Sequence, residues 1–208
     1  MTQTRTKDEL ASAITHGAGV IASLVGGAVL ITLAALSGSA YQIVGAAVFT
    51  ASLVLLYSAS TAYHIALNAR LRQKLRLVDH CAIYVLIAGT YTPFTLTVLR
   101  GVWGWTLFGV VWGLALAGIA FKLFFIGRFP RLSTGIYIGM GWLVVVAAGP
   151  LVRALDPVAL AWLVVGGLAY TGGTAFYHSR RVPYAHAVWH LFVLAGSVCH
   201  AIAVGIQI

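Results

Sequence analysis

The 208-residue chain is 61% hydrophobic and only 8% charged, whereas a soluble globular domain carries about 25% charged residues. That leaves too little polar surface for a soluble fold, so most of the chain must face lipid or itself. The net charge of +9 sits in short clusters between apolar runs, which disfavours a nucleic-acid surface and fits an orientation signal and contact with anionic headgroups.

In chain order, residues 1 to 11 read as a short polar arm in which Asp8 and Glu9 favour the positive end of a following helix. No cleavage pattern follows the arm, so the first apolar run is expected to be a retained span. Spans are predicted at about Ser12 to Leu36 and Tyr41 to Leu67. The basic stretch NARLRQKLRL after them reads as an interfacial helix or a loop. Further spans are predicted at about Val78 to Leu99, Val102 to Phe125, Leu132 to Val152, Asp156 to Tyr177 and Tyr184 to Ile208. The expected fold is all-α: one domain, residues 1–208, forming an integral membrane bundle of seven transmembrane helices. Cys81 and Cys199 both lie in apolar runs and imply no disulfide.

Basic residues set the orientation. With the amino end cytoplasmic, eleven of the 13 Lys and Arg fall inside, Arg5, Arg180 and Arg181 among them, and only Arg100 and Arg153 fall outside. The carboxyl end is then outside. YSASTAYH and YTGGTAFYH, near the ends of the second and sixth spans, echo one another; shared helix-end chemistry explains this better than a repeat.

This topology gathers polar residues by depth. His16, His64, His80, His178, His186 and His190 all fall in one layer near the cytoplasmic face. His186 and His190 are four apart, so a helix stacks them on one face, where they can hold one metal ion. Three protein ligands with one open position make a catalytic zinc arrangement. His64 is the best candidate for the third ligand, with Ser60 one turn before it on the same face, placed to act as a partner for the ligand or to hold a water. Asp79 opens a long apolar helix in the same layer. It reads equally well as a general base and as a helix-end charge paired with Arg76. His80 points about 100° from Asp79, so the two are not expected to face one site squarely. His16 reads as a cross-helix hydrogen-bonding residue and His178 as a headgroup contact. His200 lies about 15 Å beyond His190 and is excluded from a compact site with it. HxxxH lacks the glutamate of HExxH, and the glycines follow no nucleotide-loop pattern.

Four pieces, DELASAITHGAG, SASTAYH, VDHCAIYVLIAGTYTP and HAVWHLFVLAGSVCH, together resemble the haemolysin III branch of the progestin and adiponectin receptor family. The resemblance implies a seven-helix bundle with the amino end inside, in a bacterial inner (plasma) membrane. It implies zinc on His64, His186 and His190, with Asp79 and Ser60 as the family's aspartate and serine.

Three functions compete. The first is a zinc-dependent hydrolase of lipid amides or esters, ceramidase-like, with Asp79 moving the proton and Ser60 orienting water. The second is a non-catalytic lipid sensor or membrane-homeostasis protein with structural zinc. The third is a haemolysin-type lytic protein. The expected partners are membrane lipids, including a lipid substrate or free fatty acid in the bundle, and no nucleic acid.

Overall fold

The computed structural model describes residues 3–179 and 181–208, with side chains from residue 7 onward. Met1 and Thr2 of the arm, the side chain of Arg5 and the inside placement of Arg180 lie outside the described residues.

Every described element is helical. The helices are α1 (Gln3–Ser37), α2 (Ala40–Ile65), α3 (Ala69–Leu96), α4 (Val102–Phe125), α5 (Pro130–Gly141), α6 (Ala148–Ala154), α7 (Pro157–Tyr177) and α8 (Ala185–Gln207). A 3-10 segment, Trp142–Ala147, joins α5 to α6. From Gln3 the polar arm is already helix, continuous with the first apolar run. Gly38 ends α1 with φ of 74°, a backbone state that glycine adopts without a Cβ clash.

Six segments are long and apolar enough to cross a bilayer: Lys7–Ser37, Ala40–Ile65, Val102–Phe125, Pro130–Ala154, Pro157–Tyr177 and Ala185–Gln207. Helix α3 is not among them, for a physical reason. Its first turns are the basic stretch after Asn68, whose side chain accepts from Arg70 N–H and Leu71 N–H at 2.9 and 3.1 Å and so starts the helix well before Val78. The rest of α3 is enclosed by other helices, and every residue from Ala88 to Leu96 is buried. A helix that faces protein rather than lipid can carry hydroxyls, provided they are bonded. Thr92 returns its hydroxyl to Ala88 O at 2.9 Å, and Thr95 to Thr92 O at 3.1 Å. By contrast α1 presents Ile14, Ile21, Leu24, Val25, Val29, Leu33 and Leu36 outward, an apolar surface that belongs against lipid. The chain is a membrane protein.

Helix α1 packs on α2 and α8, α2 on α3, α3 on α4, and α7 on α8, whereas α5 touches its neighbours sparsely. Gly19 lets α1 close on the site, since a Cβ there would come within 2.8 Å of the Tyr57 ring and 2.9 Å of Leu194. The predicted fifth span is not one regular helix. Pro150 can offer no N–H to the turn before it, and farther upstream, at 140–144, the Tyr91 hydroxyl enters the backbone ladder. It lies 2.9 and 2.7 Å from the Met140 and Gly141 carbonyls and accepts from Val144 N–H at 2.9 Å. A side chain inserted into the backbone ladder accounts for the local change to 3-10 geometry.

Candidate metal centre

His64 sits in the last turn of α2, and His186 and His190 occupy the first two turns of α8. The ring centroids of His186 and His190 are 4.6 Å apart, and His64 lies 5.0 Å from each. One ring nitrogen from each of the three lies within 4.8 Å of the other two. The pair expected from spacing, His186 and His190, and the third histidine expected from the layering, His64, are therefore brought together, from two helices more than a hundred residues apart in sequence.

Hydrogen bonds set which nitrogen faces inward. His190 Nδ1 is 3.1 Å from Ser12 O; a carbonyl cannot donate, so this nitrogen carries the proton and Nε2 is left with its lone pair. Thr15 Oγ1 is 3.3 Å from the same Nδ1. His64 Nδ1 donates to Glu9 Oε2 at 2.7 Å. Its Nε2 is buried with no hydrogen-bond partner among the described residues. The other Glu9 oxygen accepts from Arg72, whose guanidinium also lies 4.6 Å from the centre of the Tyr63 ring.

These residues fit a metal ion. A buried imidazole nitrogen with an unshared lone pair and no donor costs free energy in an apolar surrounding, and a divalent cation removes that cost. Zinc binds imidazole at about 2.0–2.1 Å in tetrahedral geometry, which places ligand nitrogens about 3.4 Å apart. The three nitrogens, all within 4.8 Å of one another, are grouped on that scale. A ligand histidine ordinarily donates its other N–H to a carboxylate or carbonyl, and Glu9 and Ser12 O provide these two acceptors for His64 and His190.

Glu9 and Arg72 were not expected here. Ser60 was expected either to partner a ligand or to hold a water; its Oγ is buried with no hydrogen-bond partner among the described residues, and it lines the cavity beside the histidines. A signal was present in the sequence: Glu9 is one of only four acids, and it shares a helix face with His16, seven residues on.

A cavity of about 1030 Å³ opens beside the three histidines. His186 and His190 line it, as do Ser60 and Asp79. Asp79 is 9% exposed and forms no ion pair with Arg76 among the described residues; its nearest basic atom is His80 Nδ1 at 3.7 Å. His80, expected to turn away from Asp79's site, lines the same cavity, because the cavity is wide enough to receive two positions 100° apart on α3. His16 does not hydrogen-bond across helices. It stacks on His190 at 3.5 Å and 8°, edge-on to Tyr57, and both its ring nitrogens lack partners among the described residues. His178 bonds Thr134 Oγ1 at 3.0 Å, so it ties α7 to α5. His200 donates to Leu163 O at 3.1 Å and stays out of the trio, as its depth required.

Comparison with known proteins finds relatives along most of the chain. Residues 4–201 match the family model described as "Haemolysin-III related". The chain is 49% identical to the "Hemolysin-3 homolog" of Bacillus subtilis (strain 168), covering 92% of this chain and 90% of that protein. It is 46% identical to "Hemolysin-3" of Bacillus cereus, covering 92% and 87%. A more distant relative is the human "Monocyte to macrophage differentiation factor", 27% identical over 95% of this chain and 83% of that protein. The matched span contains the whole histidine cluster together with Glu9 and Asp79, and this chain belongs to the haemolysin-III related family of membrane proteins.

Proposed function

We propose that this chain is a seven-span protein of the bacterial inner membrane, with its amino end in the cytoplasm, that holds zinc on His64, His186 and His190 and hydrolyses an amide or ester of a membrane lipid. Helix α3 supplies the seventh crossing. The observation that carries the reading is the partnerless Nε2 of His64 grouped with His186 and His190, beside a cavity that also receives Asp79 and Ser60.

Zinc, when bound, supplies Lewis-acid polarisation of a carbonyl and a lowered pKa for water. The chain's own residues do the rest. Glu9 and the Ser12 carbonyl keep the two Nδ1 protons in place. Asp79 accepts a proton from the attacking water and passes it to the leaving nitrogen or oxygen. The Ser60 hydroxyl, with no hydrogen-bond partner among the described residues, orients that water. Apolar side chains such as Leu86, Ile87 and Val193 hold the acyl chain and exclude bulk water.

The test is product release from amide- and ester-linked lipids by zinc-loaded protein. Product is expected from the parent and none from Asp79→Ala, with zinc retained in both. No product from any lipid class, or equal rates in the two proteins, overturns the hydrolase.

A second reading, zinc as a staple in a lipid sensor, draws on the convergence of α1, α2 and α8 at the centre. It expects chelation to lower the melting temperature sharply and Asp79→Ala to leave every readout unchanged.

A further inference from the structure

One end of the cavity is ringed by charge. Arg76 of α3, Arg131 of α5 and Arg181 after α7 line it there, and all three are exposed. None has a carboxylate partner among the described residues. The chain has four acids, and among the described residues none forms an ion pair with these arginines; Asp8 Oδ1, on α1, is buried without a hydrogen-bond partner there. Glu9 holds His64 and Arg72. Asp156 caps α7, accepting from Val158 N–H at 2.7 Å and Ala159 N–H at 3.3 Å. Asp79 faces His80.

Away from the arginines the lining becomes mainly apolar, with Leu86, Ile87, Ile138, Trp142 and Val193. Thr90, Tyr170, Thr171 and His200 stand among them. Along α3 the lining runs from Arg76 to Tyr91, about 22 Å at 1.5 Å per residue. His186 and His190 lie on the wall between the two ends, since along α8 they precede Val193 and His200. Three unpaired guanidiniums, then the histidines, then a long apolar shaft follow one another along a single cavity. Guanidinium forks match phosphate oxygens in pairs, and an apolar shaft matches an acyl chain.

We infer that the cavity takes a lipid with a phosphate headgroup: the phosphate sits on Arg76, Arg131 and Arg181, the acyl linkage lies beside the histidines, and the chain fills the shaft. This rests on the reading of the cavity as a lipid site and not on the metal. It names the substrate class as an anionic lipid rather than a neutral one.

Trp142 and Trp189 line the cavity, so their emission reports occupancy. The full-length protein, as purified and held in neutral detergent, is titrated separately with dodecyl phosphate, dodecanol and inorganic phosphate. Dodecyl phosphate is expected to act at a concentration at least about tenfold below dodecanol, the factor for one charge-assisted contact. Inorganic phosphate alone is expected to have no effect over the same range. R131Q/R181Q is expected to abolish the preference. K74Q/R128Q, which removes the same charge from exposed residues outside the cavity, is expected to keep it. If the double variant misfolds, R131Q and R181Q carry the test singly, each expected to weaken the preference.

Equal action of dodecyl phosphate and dodecanol overturns the inference, as does displacement of dodecyl phosphate by inorganic phosphate at equal concentration. Equal loss in K74Q/R128Q overturns it too, because the effect would then be surface charge. Zinc content is measured separately. A chain without zinc that shows the preference removes the hydrolase and leaves this site standing; a zinc-bearing chain without the preference does the reverse.

Discussion

The carboxylate of Glu9 receives the Nδ1 proton of His64 at 2.7 Å, across 55 residues of sequence. One oxygen of Glu9 holds the histidine and the other holds Arg72, so the amino-terminal turns of α1 decide which nitrogen of His64 faces the centre. Losing such an outer partner typically costs about 10–100-fold in metal affinity. Glu9→Ala is expected to weaken zinc binding by about that factor, and Glu9→Gln, which keeps an acceptor oxygen, by less. Competition with a chelator of known affinity reads this directly, without any assay of activity.

Metal content separates ligands from neighbours. His64→Ala and His186→Ala are expected to lose bound zinc on purification, while Asp79→Ala and Ser60→Ala retain it. His16→Phe is expected to retain it as well, because His16 stacks flat on His190 and a phenyl ring fills the same space. Loss of zinc in His16→Phe would make His16 a fourth ligand.

The insertion of Tyr91 into the turn after α5 has a cost that can be measured. Tyr91→Phe leaves the buried Met140 carbonyl, and the part-buried Gly141 carbonyl and Val144 N–H, without their hydroxyl partner. Each buried group left unsatisfied costs about 1–3 kcal/mol, less where neighbouring backbone or water takes over. A lower melting temperature is expected, with zinc content unchanged, since this contact lies on the α3–α5 side of the cavity.

Gly19 is expected to tolerate no side chain. In Gly19→Val the new Cβ would meet Tyr57 and Leu194 at 2.8 and 2.9 Å. Overpacking costs about 1–3 kcal/mol. Because α1 carries Glu9 and Ser12, the displacement is expected to weaken zinc binding along with thermal stability. Gly26→Val, where nothing lies within 4 Å of a Cβ, is the control and is expected to change neither.

Much of this protein follows from local pattern. Apolar runs of bilayer length determine helices and a membrane setting, because in lipid the backbone must satisfy its own hydrogen bonds. The spacing of His186 and His190 puts them one turn apart on any helix, and the expected alternation of spans, oriented by the basic residues, predicts His64 and Asp79 at their level. These properties depend only on neighbours in the chain, so they are readable in order. The partners of the histidines are another matter. Glu9 reads as a helix-end charge until α1 packs on α2, and Arg72 reads as topology signal until α3 begins at Asn68 and reaches it. His16 becomes a stacked ring only where α1 meets α8, and Tyr91 breaks the fifth span only because α3 passes beside it. Each of these contacts joins residues tens to hundreds of positions apart, whose meeting is decided by which small residues let helices close and which voids the larger ones leave. The sequence determined the helices and the ligand types; only packing decided which proton, charge and empty space stand beside them.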